Sequence, residues 1–418
     1  MQLVLFIFYF ILFSFTISFI PFFRNSGIGR YSLIGLFSIK VLAGFAYAKF
    51  FAQPQYLEGA DTWRFYGQSL SETKWLLKNP VAFTKDLFLY GYSSPGNLFS
   101  GVNTYWNDLK SNIVVKMMAV INVVTNNSYY VNIVFFNFLF LFGLVALFRL
   151  LNQIFPNRYW LIITGIFLLP GTLFWCSGIH KDGLILSATG VIIYAFNRLL
   201  ENKGFSKNVT AVLLGLLLVF ALRNYVVLML VPALFAWSLS TKFPEKKIIV
   251  FAVIYLAAIC LFFLVPLIIP ALNLPEFVTR KQHEFLLLQG GSKVNVQILQ
   301  PDIKSFISFF PTALDMAFLR PHFSEIRNIS YIPAAVEIVL LMLLLVYCVL
   351  KINKKSIQPI VLFFLFFSVS ILLLAGYTIP FTSAIVRYRS FAWPFLITPL
   401  LCIAGAGKTS KSLNRRPE

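Results

Sequence analysis

The sequence is short of charge. Asp, Glu, Lys and Arg make up 12% of its 418 residues, where a soluble protein has about a quarter. So little charge cannot coat the two or three domains that a soluble chain of this length would form. A soluble enzyme, a disordered chain and a disulfide scaffold are excluded, and a polytopic membrane protein remains. Cysteine is scarce as well. Cys176, Cys260, Cys348 and Cys402 stand singly in or beside apolar runs, with no CxxC or Cys/His spacing. They indicate neither a zinc site nor a redox pair, and read as small packing residues. Acids are the scarcest charge: 15 Asp+Glu oppose 35 Lys+Arg, for a net +20. In a soluble chain that balance would suggest nucleic acid. Here basic residues mark cytoplasmic loops and anionic head groups instead, and no nucleic-acid partner is expected. A nucleotide-phosphate loop, GxSxG and HExxH are all missing, which leaves an ATP-driven pump or a membrane protease unsupported.

What the chain does have is apolar residues, 59% of the total, with a mean hydropathy of +0.80. Apolar runs near the length that crosses the hydrocarbon, about 20 residues, fall at 3–23, 31–52, 129–148, 159–179, 183–197, 209–222, 225–241, 248–272, 332–350, 357–379 and 393–407. The spacing thus predicts an all-α, polytopic transmembrane bundle of about 11 spans, forming one integral membrane domain over 1–418. The run 3–23 lacks a basic leader and a small-residue cleavage site, so it reads as a retained helix. Arg223 interrupts 209–241, and a continuous helix there would be too long for one crossing. The stretch is expected to be a hairpin with Arg223 at its tip.

Alternate short connections concentrate basic residues: Arg24 and Arg30; Arg149 and Arg158; Arg198, Lys203 and Lys207; Lys242, Lys246 and Lys247; Lys351, Lys354 and Lys355; and the tail 408–418. The positive-inside rule makes these cytoplasmic, which places the N-terminus outside and the C-terminus inside the plasma (inner) membrane. Two long outer loops follow, 53–128 and 273–331. Apolar residues at three- and four-residue spacing predict helices over Asp61–Lys78 and Lys110–Val124, lying along the interface. Only three of the fifteen acids, Glu201, Glu245 and Glu418, fall on the cytoplasmic side, which makes the outer side the working face.

Five polar groups there carry candidate chemistry. Glu58-Gly-Ala-Asp61 follows the second span. A carboxylate close to the membrane suits a general base, and Glu58 with Asp61 could together hold a divalent metal such as Mg2+ or Mn2+. Asp61 is equally a good helix N-cap. Ser177-Gly-Ile-His180-Lys181-Asp182 forms a turn beside a short span, where ionisable groups usually face a water-filled cavity. Arg223 sits at the tip of its hairpin. Leu319-Arg320-Pro321-His322 and Arg387-Tyr388-Arg389 add cations suited to gripping phosphate oxygens, although arginines at that level also snorkel to head groups. Asp61, Asp182 and Glu58 are the catalytic candidates. His180, Lys181, Arg223, Arg320, His322, Arg387 and Arg389 are the candidate phosphate ligands.

In layout and in these short motifs the chain resembles the C-type membrane glycosyltransferases and the related O-antigen polymerase-like proteins of surface polysaccharide synthesis. The Gly59-Ala-Asp61-Thr62 element is similar to the family's acidic first-loop motif, which supplies the catalytic base and can bind a divalent metal. Here it follows the second span rather than the first, and its acids are spaced Glu58-x-x-Asp61. The resemblance implies a polyprenyl-phosphate or polyprenyl-diphosphate sugar donor, a glycan or lipid acceptor and an extracytoplasmic active site. A repeat-unit polymerase and a flippase for lipid-linked glycans are the alternatives. Lys40 and Lys49, inside the second span, favour the flippase.

Overall fold

The computed structural model describes residues 1–88, 91–92, 96, 104–326, 329–351 and 357–405. The tail 408–418, Lys354 and Lys355, and most of 89–103 in the first long loop lie outside the described residues. Among the described residues the chain forms helices and no strand, apart from an isolated bridge between Lys293 and Phe381. Eight helices among the described residues are long and apolar enough to cross a membrane. Two of the eleven expected spans are short instead. The run 159–179 is broken into Tyr159–Ile163, a π-turn Thr164–Leu168 and Pro170–Trp175, because Pro170 cannot donate within a helix. The last run yields only Trp393–Ala404. The runs 209–222 and 225–241 share one helical stretch, Phe205–Lys242, in which Arg223 alone leaves helical geometry, at φ −154° and ψ 88°.

The chain divides into two compact units, Met1–Leu150 with Thr172–Val227, and Leu151–Gly171 with Leu228–Glu418. The first begins with α1 (Gln2–Phe19) and α2 (Arg30–Phe51), followed by α3 (Asp61–Lys78), α4 (Pro80–Lys85), α5 (Tyr105–Thr125), α6 (Tyr129–Ile154) and α7 (Lys181–Leu200). It closes with the first arm of α8 (Phe205–Lys242). α1 touches its neighbours through aromatic pairs, Phe10 with Phe37 and Phe13 with Phe138. Most of its other large side chains are exposed, an arrangement that lipid tolerates and water does not.

α3 and α5 form at the two places where the outer-loop pattern predicts helices, with α5 starting earlier, at Tyr105. Thr62, Phe65, Ser69 and Thr73 are buried at spacings of three and four, so one stripe of α3 faces inward. The stripe is largely polar, and its partners are polar too. Asn122 donates to Ser69 Oγ at 3.0 Å and Thr73 Oγ1 at 3.1 Å, and accepts from Asn132 at 2.7 Å. Lys116 of α5 is buried between Glu72 at 2.9 Å and Asp86 at 3.1 Å, over the Phe83 ring at 4.0 Å. Each buried polar group is satisfied by another, which is the condition for burying it.

α6 and α7 approach backbone to backbone. A Cβ on Gly143 would lie 2.0 Å from Ser187 O, and one on Gly190 would lie 2.4 Å from Gly143 O. Small residues permit such contact between membrane helices. Gly143→Ala is therefore expected to lower stability by about 1–3 kcal/mol through overpacking. Thermal unfolding in detergent checks this, and an unshifted midpoint would show that the helices can part at no cost.

The second unit continues with α9 (Lys247–Ile268), α10 (Leu274–Leu287), α11 (Ile303–Leu314), α12 (Ile332–Lys351), α13 (Pro359–Thr378), α14 (Thr382–Ser390) and α15 (Trp393–Ala404). α11 ends in a second π-turn, Asp315–Leu319. Gly376 of α13 lies so close to α11 that a Cβ would reach 2.1 Å from Ala313 O. The second long loop is fastened rather than loose. Buried Gln282 accepts from Leu299 N–H at 2.8 Å, Val294 N–H donates to Pro380 O at 2.8 Å, and Thr382 N–H donates to Ser292 O at 2.9 Å. The start of α14, which carries Arg387 and Arg389, is thereby tied to residues 292–294.

Candidate functional site

In the first unit, residues far apart in sequence meet around His180. This residue precedes α7 in an extended conformation, φ −154° and ψ 162°. Its turn is held from several sides. Lys40 donates to Cys176 O at 3.1 Å and Ser177 Oγ at 2.8 Å. Asn137 donates to Ser177 O at 2.8 Å, and Thr62 donates to Ile179 O at 3.0 Å. Gly178 is required by proximity, since a Cβ there would come 2.2 Å from the Tyr47 ring.

The imidazole so placed lies between two carboxylates. Nε2 is 3.2 Å from Asp61 Oδ2, and Nδ1 is 2.8 Å from Asp182 Oδ2. Arg223 closes the row, with an amino nitrogen 2.5 Å from Asp182 Oδ1. At the other end Arg64 lies 2.7 Å from Asp61 Oδ1. His180 and Asp182 are fully buried and Arg223 nearly so, whereas the Asp61 side chain remains 25% exposed. The row is thus buried at Arg223 and open at Asp61, where the exposed guanidinium of Arg64 shares the carboxylate.

No family model, no curated protein and no solved structure matches this chain. Function rests on these side chains and what they can do.

The row changes the roles expected of its members. His180 and Arg223 read from sequence as phosphate ligands, yet both already bind carboxylates inside the protein. The reason lies in Asp182, which sits in the first turn of α7 within reach of both. Lys181 is half-buried, its ammonium 5.7 Å from the Phe65 ring centre. Glu58 is exposed. A metal at Asp61 and Glu58 does not fit, because the Asp61 oxygens face Arg64 and His180. Among the described residues no three His, Cys, Asp or Glu side chains converge as metal ligands. Lys40, which reads from sequence as a transport residue, is instead a buried brace for the His180 turn. Lys49 is exposed.

The second unit holds the remaining candidates. Asp315, in the π-turn, binds Arg320 Nε at 2.7 Å and His322 Nε2 at 2.8 Å. Glu325 pairs with Arg320 and accepts from the His322 backbone N–H at 3.0 Å. Two carboxylates thus occupy Arg320 and His322, and a phosphate would have to displace one of them. Arg387 is half-buried and Arg389 is buried. Arg389 donates to Ala317 O of the π-turn at 3.4 Å and lies over the Trp393 ring at 5.4 Å. Burial pulls its guanidinium down to about 10, opposed by the charge of Glu337.

Glu337 was missed by the sequence reading, although an acid within an apolar run is a recognised signal. It is buried in α12 and accepts from Gly171 N–H at 2.6 Å. A Cβ at Gly171 would come 2.7 Å from its carboxylate, so any larger residue there would push the carboxylate aside.

Proposed function

We propose that this chain is an integral membrane glycosyltransferase, moving a sugar or glycan from a polyprenyl-phosphate or polyprenyl-diphosphate carrier to an acceptor outside the cytoplasm. The observation that carries the reading is the partly exposed carboxylate of Asp61, backed by the buried His180–Asp182–Arg223 row. An acceptor hydroxyl attacks the anomeric carbon, the bond from that carbon to the phosphate oxygen breaks, and the carrier leaves as an anion. The hydroxyl proton must go to a base, and Asp61 is placed to take it. Lys40 lends the flippase alternative no support, since its ammonium is spent on the turn beneath His180.

The experiment is transfer by the purified protein in lipid nanodiscs from a polyprenyl-phosphate-linked or polyprenyl-diphosphate-linked sugar to a glycan acceptor. Product formation is expected. Tightly retained donor with no product, over any acceptor tried, would remove the reading. Sidedness is checked separately in a background without native cysteines. A cysteine at exposed Ser71 should react with an impermeant thiol reagent on intact cells, and one at exposed Ser206 should not. The reverse pattern would place the Asp61 face in the cytoplasm.

A further inference from the structure

We infer, on the glycosyltransferase reading, that Thr62 and Tyr129 are positioning residues, whose buried hydroxyls fix the placement of the Asp61 carboxylate against the His180 ring.

Three carbonyls of the turn before His180 accept from buried side chains, each on a different helix. Cys176 O accepts from Lys40 of α2, Ser177 O from Asn137 of α6 and Ile179 O from Thr62 of α3. The third bond differs from the others in where it starts and ends. Thr62 directly follows Asp61, and Ile179 directly precedes His180. Their 3.0 Å bond joins the backbone beside the carboxylate to the backbone beside the ring. It sets the frame across which Asp61 Oδ2 and His180 Nε2 face each other at 3.2 Å.

A threonine hydroxyl has one proton to give and lone pairs that accept. Thr62 gives its proton to Ile179 O, so in its 2.5 Å contact with the Tyr129 hydroxyl it accepts and Tyr129 donates. Tyr129 also hydrogen-bonds the Ile179 backbone. The tyrosine thus decides where the Thr62 hydroxyl points: with the phenol proton directed at Oγ1, the threonine proton is left for Ile179 O. Tyr129 itself has little room to move. It opens α6, is buried, stacks on Trp63 with 4.3 Å between ring centres, and meets the Tyr66 ring edge-on at 5.4 Å. One tyrosine therefore holds the start of α3 against the His180 turn. A misplacement of about 1 Å can cost a reaction about 10²-fold, which is the scale on which such a grip matters.

Three variants in nanodiscs test this. Thr62→Val keeps the shape and removes the hydroxyl, Tyr129→Phe removes only the phenol oxygen, and Thr62→Ser restores a hydroxyl at position 62. Transfer by Thr62→Val should fall about 10²-fold in kcat with donor KM unchanged. Tyr129→Phe should fall less, because Thr62 keeps its bond to Ile179 O, and Thr62→Ser should recover most of the rate. A merely structural threonine would lower the unfolding midpoint and leave kcat per folded molecule unchanged. A second readout needs no activity. The chain has three histidines, so in 15N-histidine-labelled protein the His180 ring signals are identified by their loss in His180→Gln. Thr62→Val and Tyr129→Phe should move those signals, and Thr62→Ser should return them toward the wild-type positions. A folded Thr62→Val with wild-type kcat, or with unmoved ring signals, overturns the proposal. If Thr62→Val does not fold, Tyr129→Phe decides by the same two measurements. A wild type that transfers no sugar removes the glycosyltransferase reading, and the ring signals then decide alone whether Thr62 and Tyr129 position His180.

Discussion

Asp61→Asn should reduce sugar transfer by about 10²–10⁴-fold, the usual contribution of a general base, while leaving donor affinity and folding close to wild type. The side chain keeps its size and can still accept from Arg64 and face His180, so the packing around it has little reason to change. What it loses is the capacity to take a proton at the exposed carboxylate. In rate terms the loss should appear in kcat and kcat/KM alike, because a base acts in the transition state and not in donor binding. Single-turnover kinetics with pre-bound lipid-linked donor measure this directly. Turnover within threefold of wild type would move the base away from Asp61, and the buried row behind it would then lack a catalytic rationale.

The second large effect is on stability. Asp182 is fully buried, and Arg223 is its cationic partner at 2.5 Å. Arg223→Leu takes the guanidinium away from that buried carboxylate, which should cost about 3–5 kcal/mol. Removing both partners is a different matter, since a buried ion pair replaced by apolar residues is often near neutral. The double variant Arg223→Leu/Asp182→Leu should therefore be more stable than Arg223→Leu alone. Unfolding in mild detergent, run as a double-mutant cycle, isolates the coupling between the two. An Arg223→Leu midpoint equal to wild type would mean that water or lipid head groups reach Asp182 and the row is not sealed.

Much of this site could be read in the sequence one residue at a time, and little of it as a set. Asp61 stood out as a carboxylate beside a span, His180 and Asp182 as consecutive charges in a turn too close to the membrane to be idle, and Arg223 as a charge splitting an apolar stretch. Their convergence was hidden, because it depends on how α3, α7 and the break in α8 pack, and no local pattern encodes that. Without it the two cations looked free to hold phosphate. The partners of Lys40 were hidden for a similar reason. A lysine in an apolar helix announces an expensive group but not its acceptor, and a backbone carbonyl such as Cys176 O is invisible in a sequence. Arg320 and His322 were visible as candidate phosphate ligands, whereas their contacts with Asp315 depend on a π-turn that widens the helix at its end. The helices themselves were more legible, since apolar length and three-to-four spacing act locally. The departures there lie at Pro170 and at the short final helix.

Lys40 also sets an order on how the molecule is made. Its two acceptors lie 136 and 137 residues further along the chain. At about 5–20 residues per second of synthesis, roughly 7 to 27 seconds separate the lysine from the turn that binds it. During that interval the second helix carries an ammonium whose insertion into bilayer costs about 2.5–3.5 kcal/mol at the centre of a span. The helix is therefore a reluctant inserter until the later half of its own unit arrives. The brace that fixes the His180 turn in the finished protein is, during biogenesis, a debt carried by a nascent chain.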